Sequence, residues 1–304
     1  MSTAAPVPET HDLEGDDAVE ALRNVGIWHL LRDSFDRFRA ADGFSHSRAL
    51  AFQLTLTVLP ALIAIVGFAR ELGQQAFTSI LTDTLRDVAP GPASEVLTQA
   101  FEQGTENGGE AALYIGLAVA VISAATAMGQ IERGSNRIYG VERDRPTVRK
   151  YGLALGLALS AGVAIAIAFV VLVPGAALGD ALKDATGWGD GLDLAWAIGR
   201  WLLGAGLVAG AVTVLFRLSP NRDQPSPSWL AFGSALSVVL WFAFTGLLAA
   251  YVTLARSFGE TYGPLAGIVG LLIWSLLTAL ALFVGLAVAA QLEAVRAGSP
   301  EPRR

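Results

Sequence analysis

Two sets of polar side chains stand at helical spacing inside otherwise apolar stretches. Gln53, Thr57 and Pro60 fall at i, i+4 and i+7, and Ser123, Thr126 and Gln130 at i, i+3 and i+7. Residues so spaced share one face of a helix. The second set continues by one and two turns to Arg133 and Arg137, with Asn136 beside them. Amides and hydroxyls on such a face bind rather than break bonds. They hold water or a polar headgroup, and an arginine can clamp a phosphate bidentately. The expectation is a solvated cavity lined by both faces, with Arg133 and Arg137 at its mouth to meet an anionic headgroup. Ordinary hydrogen bonding between helices uses the same residue types, and spacing alone leaves both readings open. Pro60 lacks a backbone N–H, so it bends its helix or opens a local gap.

Bond-making chemistry has little to work with. His11, His29 and His46 are the only histidines, and there is no cysteine. HExxH, Walker A and GxSxG signatures do not occur. No catalytic residue, metal ligand or cofactor site is expected. The net charge of −6 argues against nucleic acid as a partner, because phosphate binding needs a basic surface.

The elements that carry these residues are apolar and long. Six stretches, 49–69, 111–131, 151–179, 194–216, 229–255 and 263–292, are almost free of charge. A helix needs about 20 apolar residues to cross a bilayer core. Mean hydropathy is +0.51, with 53% hydrophobic and only 16% charged residues. These values predict an all-α, polytopic membrane protein whose domain of six transmembrane helices spans 49–292. Of the 21 Lys and Arg, 16 fall in residues 1–48, the 132–150 loop, the 217–228 loop and the 293–304 tail. Loops rich in Lys and Arg stay cytoplasmic, so both termini are expected there. Membrane lipids are the expected partners; self-association is left open, and no protein partner is indicated.

Outside the spans, residues 1–16 read as a disordered acidic segment. Residues 17–48 read as an amphipathic cytoplasmic helix, with Ile27, Leu31, Phe35 and Phe38 apolar and Arg32, Asp33, Asp36 and Arg37 opposite. Such a helix lies at the headgroup boundary or packs on the inner mouth of the bundle. The 71–110 loop is long, and its pattern predicts two short amphipathic helices around Pro90-Gly91-Pro92. Within the spans, Trp241 and Trp274 need indole partners, with Ser237, Thr245 and Thr278 within reach. Gly152/Gly156, Gly206/Gly210 and Gly263/Gly267 have the small-xxx-small spacing of close helix contacts.

Two motifs carry a resemblance. Asn136-Arg137-Ile138-Tyr139-Gly140-Val141 precedes an arginine-rich turn, and Thr261-Tyr262-Gly263-Pro264-Leu265-Ala266-Gly267 leads into the last helix. With Ala49-Leu50-Ala51-Phe52 and Leu59-Pro60, the chain resembles the YihY/BrkB family of bacterial inner-membrane proteins from Trp28 to Gly298. The resemblance implies six membrane helices, the bacterial plasma membrane and a link to envelope integrity and virulence. It also places weight on Tyr139, Gly140, Tyr262, Gly263 and Gly267. Members often close the last helix with Gly-Ala-Glu-x-Asn-x-Glu. Here Gly285 to Gln291 carries none of those acids, which removes the basis for a proton- or cation-linked role there. Some members bear a ribonuclease label, for which this sequence supplies neither a metal-ligand cluster nor a basic RNA platform. The expected function is a transporter or flippase-like protein for an amphipathic or lipid substrate. The alternative is a non-transporting scaffold that binds lipid or partner proteins.

Overall fold

The computed structural model describes residues 3–10, 13–71, 110–172, 179, 183–184, 186–254 and 265–303. Among these residues the regular structure is helical. Eight helices follow one another: α1 (Gly15–Val25), α2 (Ile27–Ala40), α3 (Gly43–Glu71), α4 (Glu110–Tyr139), α5 (Thr147–Leu172), α6 (Asp190–Leu218), α7 (Pro227–Leu254) and α8 (Ala266–Arg296). Among the described residues four stretches are long and apolar enough to cross a membrane: Tyr114–Tyr139, Gly191–Leu218, Pro227–Leu254 and Ala266–Arg296. The span expected at 49–69 falls on α3 and the 151–172 part of the span expected at 151–179 falls on α5, residues 173–178 lying outside the described residues. The two amphipathic helices expected within 71–110 lie outside the described residues, as do Tyr262 and Gly263.

α8 is the axis of the bundle. From Leu286 to Ala290, and again at Leu292 and Ala294, its apolar residues are at most 1% exposed. It packs against α7 and α3, while α3 and α4 form the most extensive helix pair. α7 and α8 approach closely through two glycines. A Cβ on Gly285 would meet the Gly233 carbonyl oxygen at 2.5 Å and collide with Ser237 Oγ, and a Cβ on Gly233 would meet the Gly285 oxygen at 2.7 Å. Further along the same crossing, two tryptophans exchange hydrogen bonds. Trp241 Nε1 donates to Thr278 Oγ1 at 3.1 Å and Trp274 Nε1 to Thr245 Oγ1 at 3.2 Å. Two of the three expected hydroxyls therefore serve, each indole being satisfied from the facing helix. By contrast, nothing lies within 4 Å of a Cβ built on Gly152, Gly156, Gly206 or Gly210. Among the described residues those small-residue pairs are not contact points between helices.

One end of the bundle carries a polar cap, and here the structure departs from the expectations. Residues 3–10, expected to be disordered, form a strap. Ala4 N donates to Arg137 O and Val7 N to Tyr139 O, both at 3.1 Å, and Ala5 N donates to Pro302 O at 3.1 Å. Ala4 and Val7 are buried. The helix expected over 17–48 is broken twice, at Gly26 with φ +80 and at Asp42 with φ +54. Arg37, assigned to a solvent face, is fully buried. α4 continues well past 131 to Tyr139 and ends at Gly140, whose φ of +76 suits glycine. A Cβ there would also meet the Pro6 backbone at 2.5 Å. The tail expected from 293 begins inside the core, since Glu293 is fully buried.

Candidate functional site

The two polar stripes face each other across the α3–α4 interface. Thr126 Oγ1 donates to Gln53 Oε1 at 2.9 Å. One turn or more nearer the cap, Gln130 Nε2 lies 3.1 Å from His46 Nδ1. Burial pushes the His46 imidazole below its usual range, with Asp42 and Asp144 opposing and Arg137 and Arg133 reinforcing the shift. A neutral ring leaves Nδ1 free to accept the amide proton. Thr57 Oγ1 turns back to Gln53 O at 2.8 Å and Thr126 Oγ1 also reaches Ser123 O at 2.7 Å. Such back-bonding satisfies hydroxyls inside apolar helices. Pro60 sits inside α3. A cavity of about 520 Å³ lies elsewhere, between α5 and α6, lined by Ser160, Ala164, Leu203, Gly206, Gly210 and Val214.

At the capped end the stripe meets the Asn136–Val141 motif, whose residues act as joints. Asn136 is fully buried. Its Nδ2 donates to Asp144 Oδ1 at 2.9 Å, and its Oδ1 accepts from Asn221 N at 2.7 Å, so one side chain joins two loops. Arg137 Nη1 donates to the carbonyls of Val141 and Glu142 at 3.0 and 2.9 Å. One arm of its fork is therefore committed to the turn after α4. Arg133 is half exposed, with Nε 3.8 Å from Asp144 Oδ2. Tyr139 is buried beneath the Arg222 guanidinium, 4.7 Å from the ring centre. Gly267 is buried in α8.

Asp144 gives this joint a pH dependence. Burial alone would raise its carboxyl, but the Asn136 hydrogen bond, Lys150 and Arg137 outweigh that and hold it below the usual range. A depressed carboxylate stabilises the fold above its unfolded pKa and loses that contribution as pH falls through the folded value. In Asn136→Ala the loss should begin at higher pH than in the parent. Limited proteolysis of the 140–146 loop across an acid series reads this; coincident profiles would refute it.

Three functional-looking residues escaped sequence reasoning: Arg37, Arg222 and Glu293. Arg37 Nε donates to Gln291 Oε1 at 2.7 Å, and its Nη1 donates to Ala5 O at 2.8 Å and Ile138 O at 3.3 Å. Burial lowers Arg37 to about 10, with Tyr139 and Glu293 opposing the shift. Arg222 Nη2 donates to Glu293 Oε1 at 2.6 Å, with side chains 3% and 0% exposed. Thr10 Oγ1 donates to the same oxygen at 2.7 Å, and Arg222 Nη1 reaches Val7 O at 3.1 Å. The signal available was the interruption of an apolar helix by Gln291 and Glu293, two polar residues on consecutive alternate positions. Among the described residues, no group of three or more His, Cys, Asp or Glu is placed to hold a metal ion.

An all-helical architecture, with at least four helices able to cross a bilayer and broad exposed apolar flanks such as Ile122, Leu202 and Leu247, defines an integral membrane protein. The profile of the family described as Virulence factor BrkB matches residues 34–304, and the chain belongs to that family. It is 25% identical over 255 residues to a Bacillus subtilis protein named as ribonuclease-like, YfkH, covering 84% of this chain and 92% of that one. It is 27% identical over 262 residues to a UPF0761 membrane protein of Laribacter hongkongensis, covering 80% of this chain and 56% of the relative. A UPF0761 membrane protein of Halorhodospira halophila is 25% identical over 258 residues, with 53% of its length covered. The chain thus spans about half the length of these two UPF0761 relatives. No solved structure matches.

Proposed function

We propose that the protein crosses the bacterial inner membrane six times and moves an amphipathic or lipid substrate along the α3–α4 seam. The observation that carries this reading is the seam itself. Uncharged polar pairs, Gln53 with Thr126 and Gln130 with His46, rise from the arginine-bearing end into otherwise apolar helices. Polar groups at membrane depth cost free energy unless partnered, and they face the bundle interior or a water-filled cavity. In this state the pairs close the seam, and separating them would open polar groups to a headgroup, with Arg133 and Arg137 at the mouth. Pro60, whose missing N–H loosens α3, supplies a place for that opening. In vesicles of purified protein, a fluorescent phospholipid should cross faster than in empty vesicles, and Gln53→Leu and Gln130→Leu should slow it while inserting normally. Rates equal to empty vesicles for the parent protein would reject transport.

The cap favours a second reading. It ties strap, loops and tail into one surface, as a scaffold for envelope integrity would need. The relative's ribonuclease-like name gives no reason to assign enzymatic activity to this chain.

Both readings place the cap in the cytoplasm, because 16 of the 21 Lys and Arg lie on that side. Since the chain lacks cysteine, single cysteines report its orientation. A cysteine at Glu106 should react with an impermeant reagent in intact cells and one at Asp144 should not. The reverse pattern would invert the topology.

A further inference from the structure

α2 presents three different faces around its circumference. Leu30, Ser34, Arg37 and Phe38 are buried against the bundle. Next to them Ile27, Trp28, Leu31 and Phe35 are exposed, Trp28 by 81% and Ile27 by 56%. The remaining face carries His29, Arg32, Asp33, Asp36 and Arg39. With 3.6 residues per turn, these sets occupy adjacent sectors in the order bundle, apolar, polar. The exposed apolar sector does not stop at α2. Phe35 lies edge-on to Phe44 at 6.3 Å between ring centroids. Phe44 begins a stripe on α3 that continues to Phe52 and Leu56, which are 46%, 55% and 46% exposed. These residues recur at four-residue multiples, hence on one flank. The exposed face of α2 is thus continuous with the outer flank of a helix that the proposed function places across the bilayer.

We propose that α2 is an in-plane anchor, its Ile27–Trp28–Leu31–Phe35 face set among the phospholipids of the cytoplasmic leaflet. The choice of leaflet rests on the orientation proposed above, and the insertion rests on α3 crossing the bilayer, not on transport. The occupant is lipid because the face continues, past a single exposed Arg48 at the level of a headgroup, onto the apolar flank of α3 at Phe52 and Leu56. The side chains bordering it are suited to a headgroup layer: Arg32 and Arg39 stand beside Trp28 on the polar edge, where long cationic side chains reach phosphates while their stems lie along apolar surface. Trp is the residue that favours the bilayer interface. Opposite this edge, α2 is fixed to the bundle through Arg37 and Gln291, so the anchor sets the depth at which the cap and the mouth of the α3–α4 seam ride.

Single cysteines Leu31→Cys, Phe35→Cys and Asp33→Cys, each carrying an environment-sensitive fluorophore, test this in nanodiscs of phosphatidylcholine and phosphatidylglycerol. At 31 and 35 the emission should shift to the blue, quench with lipid spin-labelled near the headgroup and resist iodide. At 33 it should quench with iodide. Iodide quenching at 31 and 35 would overturn the proposal. Protection from iodide without quenching by labelled lipid would also overturn it, since a second protein copy would then cover the face. Trp28→Cys, read in the same way, serves should either apolar variant not fold. Failure of the transport assay leaves these readings untouched.

Discussion

Glu293→Ala should be among the most destabilising single changes in the described part of the chain, costing about 3–5 kcal/mol. The carboxylate is fully buried, 2.6 Å from Arg222 Nη2 and also accepting from Thr10. Removing it strands a guanidinium that is only 3% exposed and lies over the Tyr139 ring. It also cuts the strap's side-chain tie to α8. The double variant Glu293→Leu with Arg222→Met should recover much of the loss, because an apolar pair of similar volume does not leave a lone charge buried. Thermal unfolding in detergent, monitored by aggregation or by protease access to residues 3–10, measures both. If the double variant is no more stable than Glu293→Ala, the pairing is not what the cap depends on.

Gly285→Val should fail for a different reason. A side chain there collides with Ser237 Oγ and also meets main chain, the Gly233 carbonyl oxygen of α7 at 2.5 Å, so turning the serine away does not relieve the clash. Overpacking a tight contact costs about 1–3 kcal/mol where side chains can yield, and more is expected where helices must part. The reciprocal bonds of Trp241 and Trp274 lie on the same crossing and should weaken with it. Gly206→Val, facing open space, is the control and should leave the melting temperature close to that of the parent. Equal melting temperatures for Gly285→Val and the parent would show that α7 and α8 are not in close contact.

What could be read from sequence follows the range of the interactions. Apolar stretches are local, and α4, α6, α7 and α8 appear where charge is absent. The polar stripes were legible too: Gln53 and Thr126 stand on faces set by spacing alone, and those faces meet. Arg37 was misread because a helical pattern records which side of a helix is polar, not what lies against it. Its partners, Ala5, Ile138 and Gln291, come from three remote segments. The strap was misread for a similar reason. Residues 3–10 carry only small apolar side chains and no helical or strand period, and their order comes from carbonyls at the end of α4 and from the tail. Small-residue spacing misled as well: it singled out Gly206 and Gly210, which face open space, and passed over Gly233 and Gly285, which touch.

The Thr10–Glu293 bond joins residues 283 apart in the chain, and this separation sets a timetable. At a synthesis rate of about 5–20 residues per second, Thr10 waits on the order of 15–60 s for its partner. Over that interval the strap has only part of its seat, the carbonyls at the end of α4 and later Arg222, since α8 and residues 297–303 do not yet exist. α3 and α4, whose side-chain pairs are 73 and 84 residues apart, are free to associate well before. The α3–α4 seam can therefore form before α8 exists, and the cap cannot be complete until α8 and residues 297–303 arrive.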